Sequence, residues 1–371
     1  MERTPHCTVH KTLRGATGMI GILFHGPEIF DSGWARRIIA EVSSVSDVRC
    51  VLAGTMGRTA VIDSGLHGIE SPGSQPSRIL RDLHGAVDAV LFANYAKSEQ
   101  SGLMHGAMIL EKADVKVPLL QVECSGHCYV EWIEGTSQAV IQVVQEMGFS
   151  RRERLMRPSA TWESDRKIYR RVETAAAGEF LLVNGIVVGR ALGGDITIEC
   201  EGRRIVHVRG VKIKPHGIEK LERLGGIDLR TAKLASTASI RRTAHTPRIT
   251  PVSGKGMVFV DHAGMHVYDL VQSREGAVTV GDDTTAIVGD ILYRFQIPLI
   301  GITDGDKDTL LEDTRLTPGS TVFMVHEDDS AGLQIHSEIF RHQLTTNEGF
   351  DSVRERIFLL IREQILQRQD H

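Results

Sequence analysis

The first 150 residues alternate short apolar runs with amphipathic stretches. Residues 19–24, 48–53, 87–93 and 117–122 are short, apolar and bounded by glycine or polar residues, which predicts buried strands. Apolar positions recur at helical spacing over 33–43, 77–84, 99–113 and 138–147, which predicts helices between and after those strands. Strand–helix alternation of this kind implies a parallel sheet covered on both faces. Right-handed crossovers place every strand-to-helix loop on one edge, so His25, Gly54, Asn94 and Glu123 are expected side by side.

The pattern changes beyond residue 150. Residues 151–171 are dense in charge and read as a linker or a solvated helix. Apolar segments at 180–188, 195–200 and 204–209, broken by Gly193-Gly194 and Glu201-Gly202, predict a small antiparallel β unit. Short helices are expected at 217–224 and 229–235, and residues 241–251, with two prolines, read as a second linker. Strands at 257–260, 277–280, 299–303 and 321–325, with a helix at 283–295, give a further α/β pattern. The chain closes on an amphipathic helix over 351–367, with Asp351 as N-cap and Val353, Ile357, Leu360, Ile361 and Ile365 as its apolar stripe. Core packing is the default use of that stripe, and a homodimer contact is the alternative. A chain of 371 residues exceeds one comfortable core, and the pattern divides it at 1–150, 151–250 and 251–371.

Composition narrows the class. With 41% hydrophobic and 24% charged residues the chain reads as globular. No apolar run approaches the roughly 20 residues that span a bilayer, and the polar start has no signal-peptide core. The cysteines (Cys7, Cys50, Cys124, Cys128, Cys200) are scattered and odd in number, so a cytoplasmic protein in a reducing compartment is expected, with no membrane partner. The net charge of −4 conceals an asymmetry: −4 over 1–150, +10 over 151–250 and −10 over 251–371. A basic middle can serve a polyanion or can pack against the acidic third, and the pattern leaves both open.

The strongest chemical signal is Gly301-Ile302-Thr303-Asp304-Gly305-Asp306-Lys307-Asp308, directly after an apolar strand. Carboxylates at alternate positions past a strand end can converge on a hard cation, and Mg²⁺ takes oxygen ligands. Gly281-Asp282-Asp283 lies at a neighbouring strand end, so Asp282, Asp283, Asp304, Asp306 and Asp308 form the expected metal set. A protein-bound Mg²⁺ keeps open positions for water and phosphate oxygens, which implies a phosphate-bearing ligand. The bland reading of the same residues is a solvated acidic turn. Asp261-His262, His266, Asp269 and His326 also fall at strand ends of this part, and His262 joins Asp304 and Asp306 as a candidate catalytic group, because imidazole titrates near neutrality.

On the N-terminal edge, Gly54-Thr55-Met56-Gly57-Arg58 can cradle an anion at a helix N-terminus, and Gly54, Gly57, Arg58 and Asn94 are the candidate ligand-binding residues there. Neither a Walker A nor a GxGxxG fingerprint is present, and the Gly15, Gly18, Gly21 spacing precedes its strand. Cys124, His127 and Cys128 invite a zinc or a thiol reading. The first lacks a fourth ligand at a usual spacing unless His6, Cys7 or His10 supplies it, so little or no bound zinc is expected.

The strand–acid–helix–strand–DxD order over residues 277–330 resembles the Toprim module of topoisomerases, primases and small nucleases. That resemblance implies Mg²⁺ held for phosphoryl chemistry by a glutamate after one strand and a DxD pair after a later one. Asp304 and Asp306 match the DxD pair. Gly281 or Asp282 stands where the glutamate belongs, and Glu275 lies before the strand. The run GDDTTAIVGDILYRFQIPLIGITDGDKD, with FHGPEIFDSG earlier, resembles an uncharacterised archaeal family found mainly in methanogens, which implies an archaeal cytoplasmic protein and no particular activity.

The fold class expected is therefore α/β: an N-terminal Rossmann-like parallel sheet, a basic β-rich middle segment and a C-terminal Toprim-like domain. The leading functional reading is a Mg²⁺-dependent protein that binds or acts on a nucleotide or nucleic acid, with Arg203, Arg204, Arg209, Lys212 and Lys214 as cationic contacts. The alternative is a non-catalytic small-molecule-binding or assembly factor of archaeal cofactor metabolism. Whether the chain is an enzyme stays open between them.

Overall fold

The computed structural model describes residues 18–154, 160–172, 175, 177–184, 186–193, 195–236, 241, 245–261, 267–271, 273–305 and 314–371. The chain forms two compact units, residues 1–244 and 245–371.

The first unit opens with β1 (Met19–His25), α1 (Glu28–Asp31), α2 (Trp34–Ser43), β2 (Asp47–Ala53), α3 (Thr55–Ser64), β3 (Ile69–Glu70) and α4 (Pro76–Leu83). It continues with β4 (Ala89–Asn94), α5 (Glu99–Ala113), β5 (Leu119–Glu123), β6 (Cys128–Ile133), α6 (Gln138–Glu146) and β7 (Ser150–Arg151). The sheet runs in the order β3-β2-β1-β4-β5-β6-β7. Alternate residues feed two cores. Ile20, Ile22 and Phe24 pack with Ile38, Ile39 and Val42 of α2, while Leu23, Val90 and Phe92 pack with Leu80 of α4 and Leu103 of α5. That alternation is the physical basis of a sheet buried on both sides. The sheet is mostly parallel, but β6 pairs antiparallel with β5. Residues 124–127 are a tight turn, so the cysteine loop joins a hairpin instead of leading into a helix, and the N-terminal sheet is not wholly parallel as expected.

The middle of this unit is antiparallel β, as the glycine turns imply, but larger than the pattern suggests. Its strands are β8 (Thr161–Ser164), β9 (Lys167–Val172), β10 (Phe180–Val183), β11 (Ile186–Ala191), β12 (Ile196–Glu201), β13 (Arg204–Arg209) and β14 (Val211–Ile213). Helix α7 (Pro215–Arg223) and β15 (Leu234–Ser236) follow. They make two four-stranded sheets, β14-β11-β10-β15 and β13-β12-β9-β8, around a core of Leu181, Val183, Val188, Ile196, Ile198 and Leu221. Two expectations are corrected here. Residues 161–172 are not a linker or helix but a hairpin, in which Ile168 and Val172 share the inward face while Lys167 and Arg171 fall on the other. Residues 234–236 are a strand on β10 and not part of a helix.

The second unit contains β16 (Met257–Asp261), α8 (Val267–Leu270), β17 (Gly276–Val280), α9 (Asp282–Phe295), β18 (Leu299–Thr303), β19 (Thr321–Val325), α10 (Asp328–Glu338), β20 (Thr345–Thr346), α11 (Phe350–Ile361) and β21 (Ile365–Asp370). The sheet order is β20-β16-β17-β18-β19-β21, with β16 to β19 parallel and an antiparallel strand on each edge. Helices α10 and α11 cover one face through Ala331, Ile335, Val353, Ile357 and Ile361. The expected C-terminal helix over 351–367 ends at Ile361, and the chain turns into β21 instead. The open edge of β19 offers a ladder of backbone groups that β21 satisfies. Asp351 is in the first turn and not the cap, which is Gly349. Val353, Ile357 and Ile361 are core residues.

Candidate metal centre

In the second unit β17, β18 and β19 are parallel neighbours, so their C-terminal ends lie along one edge. Just beyond each of them the chain places an aspartate: Asp282, Asp304 and Asp328. One carboxylate oxygen from each lies within 4.8 Å of the other two. Asp328 is 7% exposed, and Asp282 and Asp304 are half-buried.

Local structure explains why the three meet. Gly281 caps α9 with φ 97° and ψ 144°, a backbone shape that side chains other than glycine's rarely permit. That shape lets β17 turn straight into the helix, so Asp282 becomes its first residue. The Gly281 N–H donates to Ile302 O at 2.9 Å, which ties this turn to β18 just before Asp304. Asp328 is the first residue of α10, and its Oδ1 accepts from the Asp329 N–H at 2.8 Å. Two helix N-termini therefore point their partial positive charge at the cluster and offset some of the carboxylate repulsion.

Helix α10 sits close to the sheet because of Gly332. A β-carbon there would stand 2.7 Å from Val280 Cγ1 at the end of β17. Below the cluster, the hydroxyls of Thr279 and Thr285 share a hydrogen bond of 2.9 Å, fixing the first turn of α9 on β17.

Of the five carboxylates expected to hold a metal, the structure brings Asp282 and Asp304 together. Asp306, Asp308, His262 and His266 lie outside the described residues, as does the side chain of Asp283. Asp328 was not anticipated, although the same rule, an acid just past a buried strand, points to it. Glu275 is at the opposite end of β17, where its Oε1 accepts from the Phe350 N–H at 2.5 Å and caps α11. His326 is exposed beyond β19.

The N-terminal edge forms as expected. His25 is in register with both Ala53 and Asn94, and Asn94 with Glu123. Its polar groups are largely committed to one another. Buried Glu123 accepts from the N–H groups of Ala96 at 2.9 Å and Gly126 at 2.6 Å and from the Ser125 hydroxyl at 3.0 Å. Asn94 Oδ1 accepts from Gln121 Nε2 at 2.8 Å, and Gln121 Oε1 accepts from the Trp132 indole at 2.8 Å. Gly54 caps α3 with φ 96° and ψ 145°, nearly the shape of Gly281. Gly57 is a close-packing residue: a β-carbon would stand 2.6 Å from Leu52 Cδ1 and 3.2 Å from Gly26 O. Arg58 is half-buried on α3.

Burial lowers the His25 imidazole to about 4, and its ring lies 4.3 Å from that of His105, which burial also holds well below its usual value. Both are therefore neutral at pH 7. Burial, then the nearby Glu123 charge, raises the Cys124 thiol far above its usual range. Burial, then Glu99, pushes Cys128 up to about 12. Protonated thiols are poor nucleophiles and poor zinc ligands. His6, Cys7 and His10 lie outside the described residues.

In the basic middle segment, Arg203 donates to Gly225 O at 2.9 Å, Arg204 pairs with Glu222 at 2.8 Å, and Arg170 donates to the carbonyls of Leu229 and Ala232. Arg209 and Lys212 are exposed on β13 and β14, and Lys214 is half-buried. Among the described residues no helix is long and apolar enough to cross a membrane.

Residues 22–343 match a protein family described as "Uncharacterized protein conserved in archaea (DUF2117)". The chain is 34% identical over 328 residues to "Uncharacterized protein MJ0065" of the methanogen Methanocaldococcus jannaschii, covering 84% of this chain and 89% of that one. No solved structure matches the chain. This protein belongs to the archaeal DUF2117 family.

Proposed function

We propose that the second unit binds Mg²⁺ through Asp282, Asp304 and Asp328 and uses it to hold a phosphate-bearing ligand. The observation that carries this reading is the convergence of three carboxylates from three consecutive strand ends within 4.8 Å. Oxygens around an octahedral Mg²⁺, at about 2.1 Å from the metal, stand roughly 3 to 4 Å from one another, so the cluster is of the right size. Its ligands are all carboxylate oxygens, which suit a hard cation and not zinc or copper. Three carboxylates leave coordination positions for water and for phosphate oxygens, and the ion would supply charge neutralisation for a bound or reacting phosphate.

The strand–acid–helix–strand–acid order is that of the Toprim-like resemblance, with Asp282 in the place of the glutamate and Asp328 as an added third acid. By sequence, Asp306 is the DxD partner of Asp304 in that resemblance. The N-terminal sheet, whose order reverses between β1 and β4, supports the Rossmann-like description of the first unit. Nucleotide and nucleic acid are both phosphate-bearing partners consistent with this site.

Isothermal titration of metal-stripped protein tests the reading. One Mg²⁺ should bind per chain in the wild type, and Asp304→Asn should weaken it tenfold or more. Equal, weak heats from both proteins would refute it.

A further inference from the structure

The sheet of the second unit ends on β21, which pairs with β19 on one side and, among the described residues, with no strand on the other. Leu366 to Asp370 are all exposed. The ladder fixes which backbone groups face outward. The His371 N–H donates to Ser320 O at 2.9 Å, so residue 371 turns its peptide groups toward β19. Antiparallel strands alternate, and the register is unbroken from Thr321↔Asp370 to Met324↔Gln367. Gln369 and Gln367 therefore bond to β19, while the N–H and C=O groups of Arg368 and Asp370 point away from it. Such an outward row of donors and acceptors accepts one more strand.

The side chains of the same two residues favour a particular strand. Arg368 and Asp370 share one face of the sheet, where Arg368 lies over the Phe323 ring at 5.9 Å and donates to Asp370 at 3.0 Å. A row of like charges on an edge repels a second copy of itself. An Arg-x-Asp pair does not. Antiparallel pairing about a two-fold axis through Gln369 sets each Arg368 opposite Asp370 of the partner subunit. These are also the outward-facing residues, so each such pair exchanges both of its main-chain hydrogen bonds. Backbone and charge select the same register.

An apolar surface adjoins this edge. Helix α11 spends Val353, Ile357 and Ile361 in the core, and on one flank Arg356 donates to Glu338 O of α10 at 3.2 Å. Elsewhere on the helix, the Phe358 ring lies 6.3 Å from the Phe323 ring that Arg368 covers. Phe358 is 40% exposed, Leu359 57% and Leu366, at the start of β21, 53%. Clustered exposed apolar side chains mark interaction surfaces. A two-fold axis perpendicular to the sheet keeps both copies of α11 on one face, so these residues meet their own copies beside the seam.

We propose that β21 is the seam of a homodimer in which two copies of this sheet join antiparallel. Arg368 of each copy faces Asp370 of the partner subunit, and the exposed apolar residues of α11 pack next to the seam.

Sedimentation equilibrium of the full chain at micromolar concentrations tests it. Wild type should show twice the chain mass. Arg368→Asp leaves acids at both outward positions and Asp370→Arg leaves bases at both, so each variant alone should dimerise at least tenfold more weakly. Mixed in equal amounts, the two should recover the dimer, because acid then meets base across the seam while each strand still carries like charges within itself. A role confined to the Arg368–Asp370 pair within one strand predicts no recovery on mixing. Amide hydrogen exchange in wild type reads the seam without a substitution: the Arg368 and Asp370 N–H groups should exchange at least tenfold more slowly than unbonded amides. A monomeric wild type, single variants that dimerise as wild type does, a mixture that stays monomeric, or free exchange at those two amides each overturns the proposal.

Discussion

His25 ends the first strand with its imidazole lowered to about 4 by burial, against an ordinary value of 6.5. Below pH 6.5 the unfolded chain takes up a proton that the native side chain refuses, so stability must fall as pH drops from 6.5 towards 4 and no further from this group. The effect is on the order of 2 kcal/mol across that window. Urea unfolding at pH 7 and pH 5 should show a shallower loss for His25→Gln than for wild type. An identical pH dependence in the two proteins would mean that this imidazole titrates freely in the folded state. The three aspartates of the acidic cluster are not equally legible. Asp282 and Asp304 are readable because each follows a continuous apolar run. Asp328 obeys the same rule, but it stands in His326-Glu327-Asp328-Asp329, a polar string that reads as the solvated start of a helix. Only the tertiary arrangement distinguishes it from the polar residues around it.

Elements set these side chains. Gly332 lets α10 approach β17, so Gly332→Ala should force the helix off Val280 and carry Asp328 away from Asp282. Overpacking of this kind costs about 1–3 kcal/mol, and the variant should lose much of its Mg²⁺ affinity as well as stability. A melting curve and a Mg²⁺ titration on the same variant check both. In the first unit, Arg241 bonds to side chains of both α1 and α3. Its side chain, 1% exposed, donates to both carboxylate oxygens of Asp31 and also to Asp63 and Thr59. Arg241→Ala would strand two buried carboxylates, a loss of about 3–5 kcal/mol, whereas Asp63→Asn should cost less. Denaturant midpoints for the two variants test that order. Nothing local to Arg241 signals this clasp, since one more arginine in a basic segment reads as a surface charge. The same limit explains the C-terminal helix. Leu360, Ile361 and Ile365 keep helical spacing in the sequence, and the strand that replaces the last turn is dictated by the distant edge of β19.

For the whole molecule, the α/β character, the mostly parallel first sheet and the single edge shared by His25, Gly54, Asn94 and Glu123 were legible because two-sided burial writes continuous apolar strands into the chain. The antiparallel middle was legible from its glycine turns, but its extent was not, because half-exposed strands such as 161–172 carry as much charge as a linker. In the second unit three carboxylates converge on one edge. Without a cation their mutual repulsion opposes folding, and an ion that binds only the native state must raise the melting temperature by mass action. The direct measurement is thermal unfolding in EDTA and in millimolar Mg²⁺ for wild type, Asp304→Asn and Asp328→Asn. Wild type should show a Mg²⁺-dependent rise that both variants lose, with the variants no less stable than wild type in EDTA. An equal response in all three proteins would mean that the cluster holds no ion.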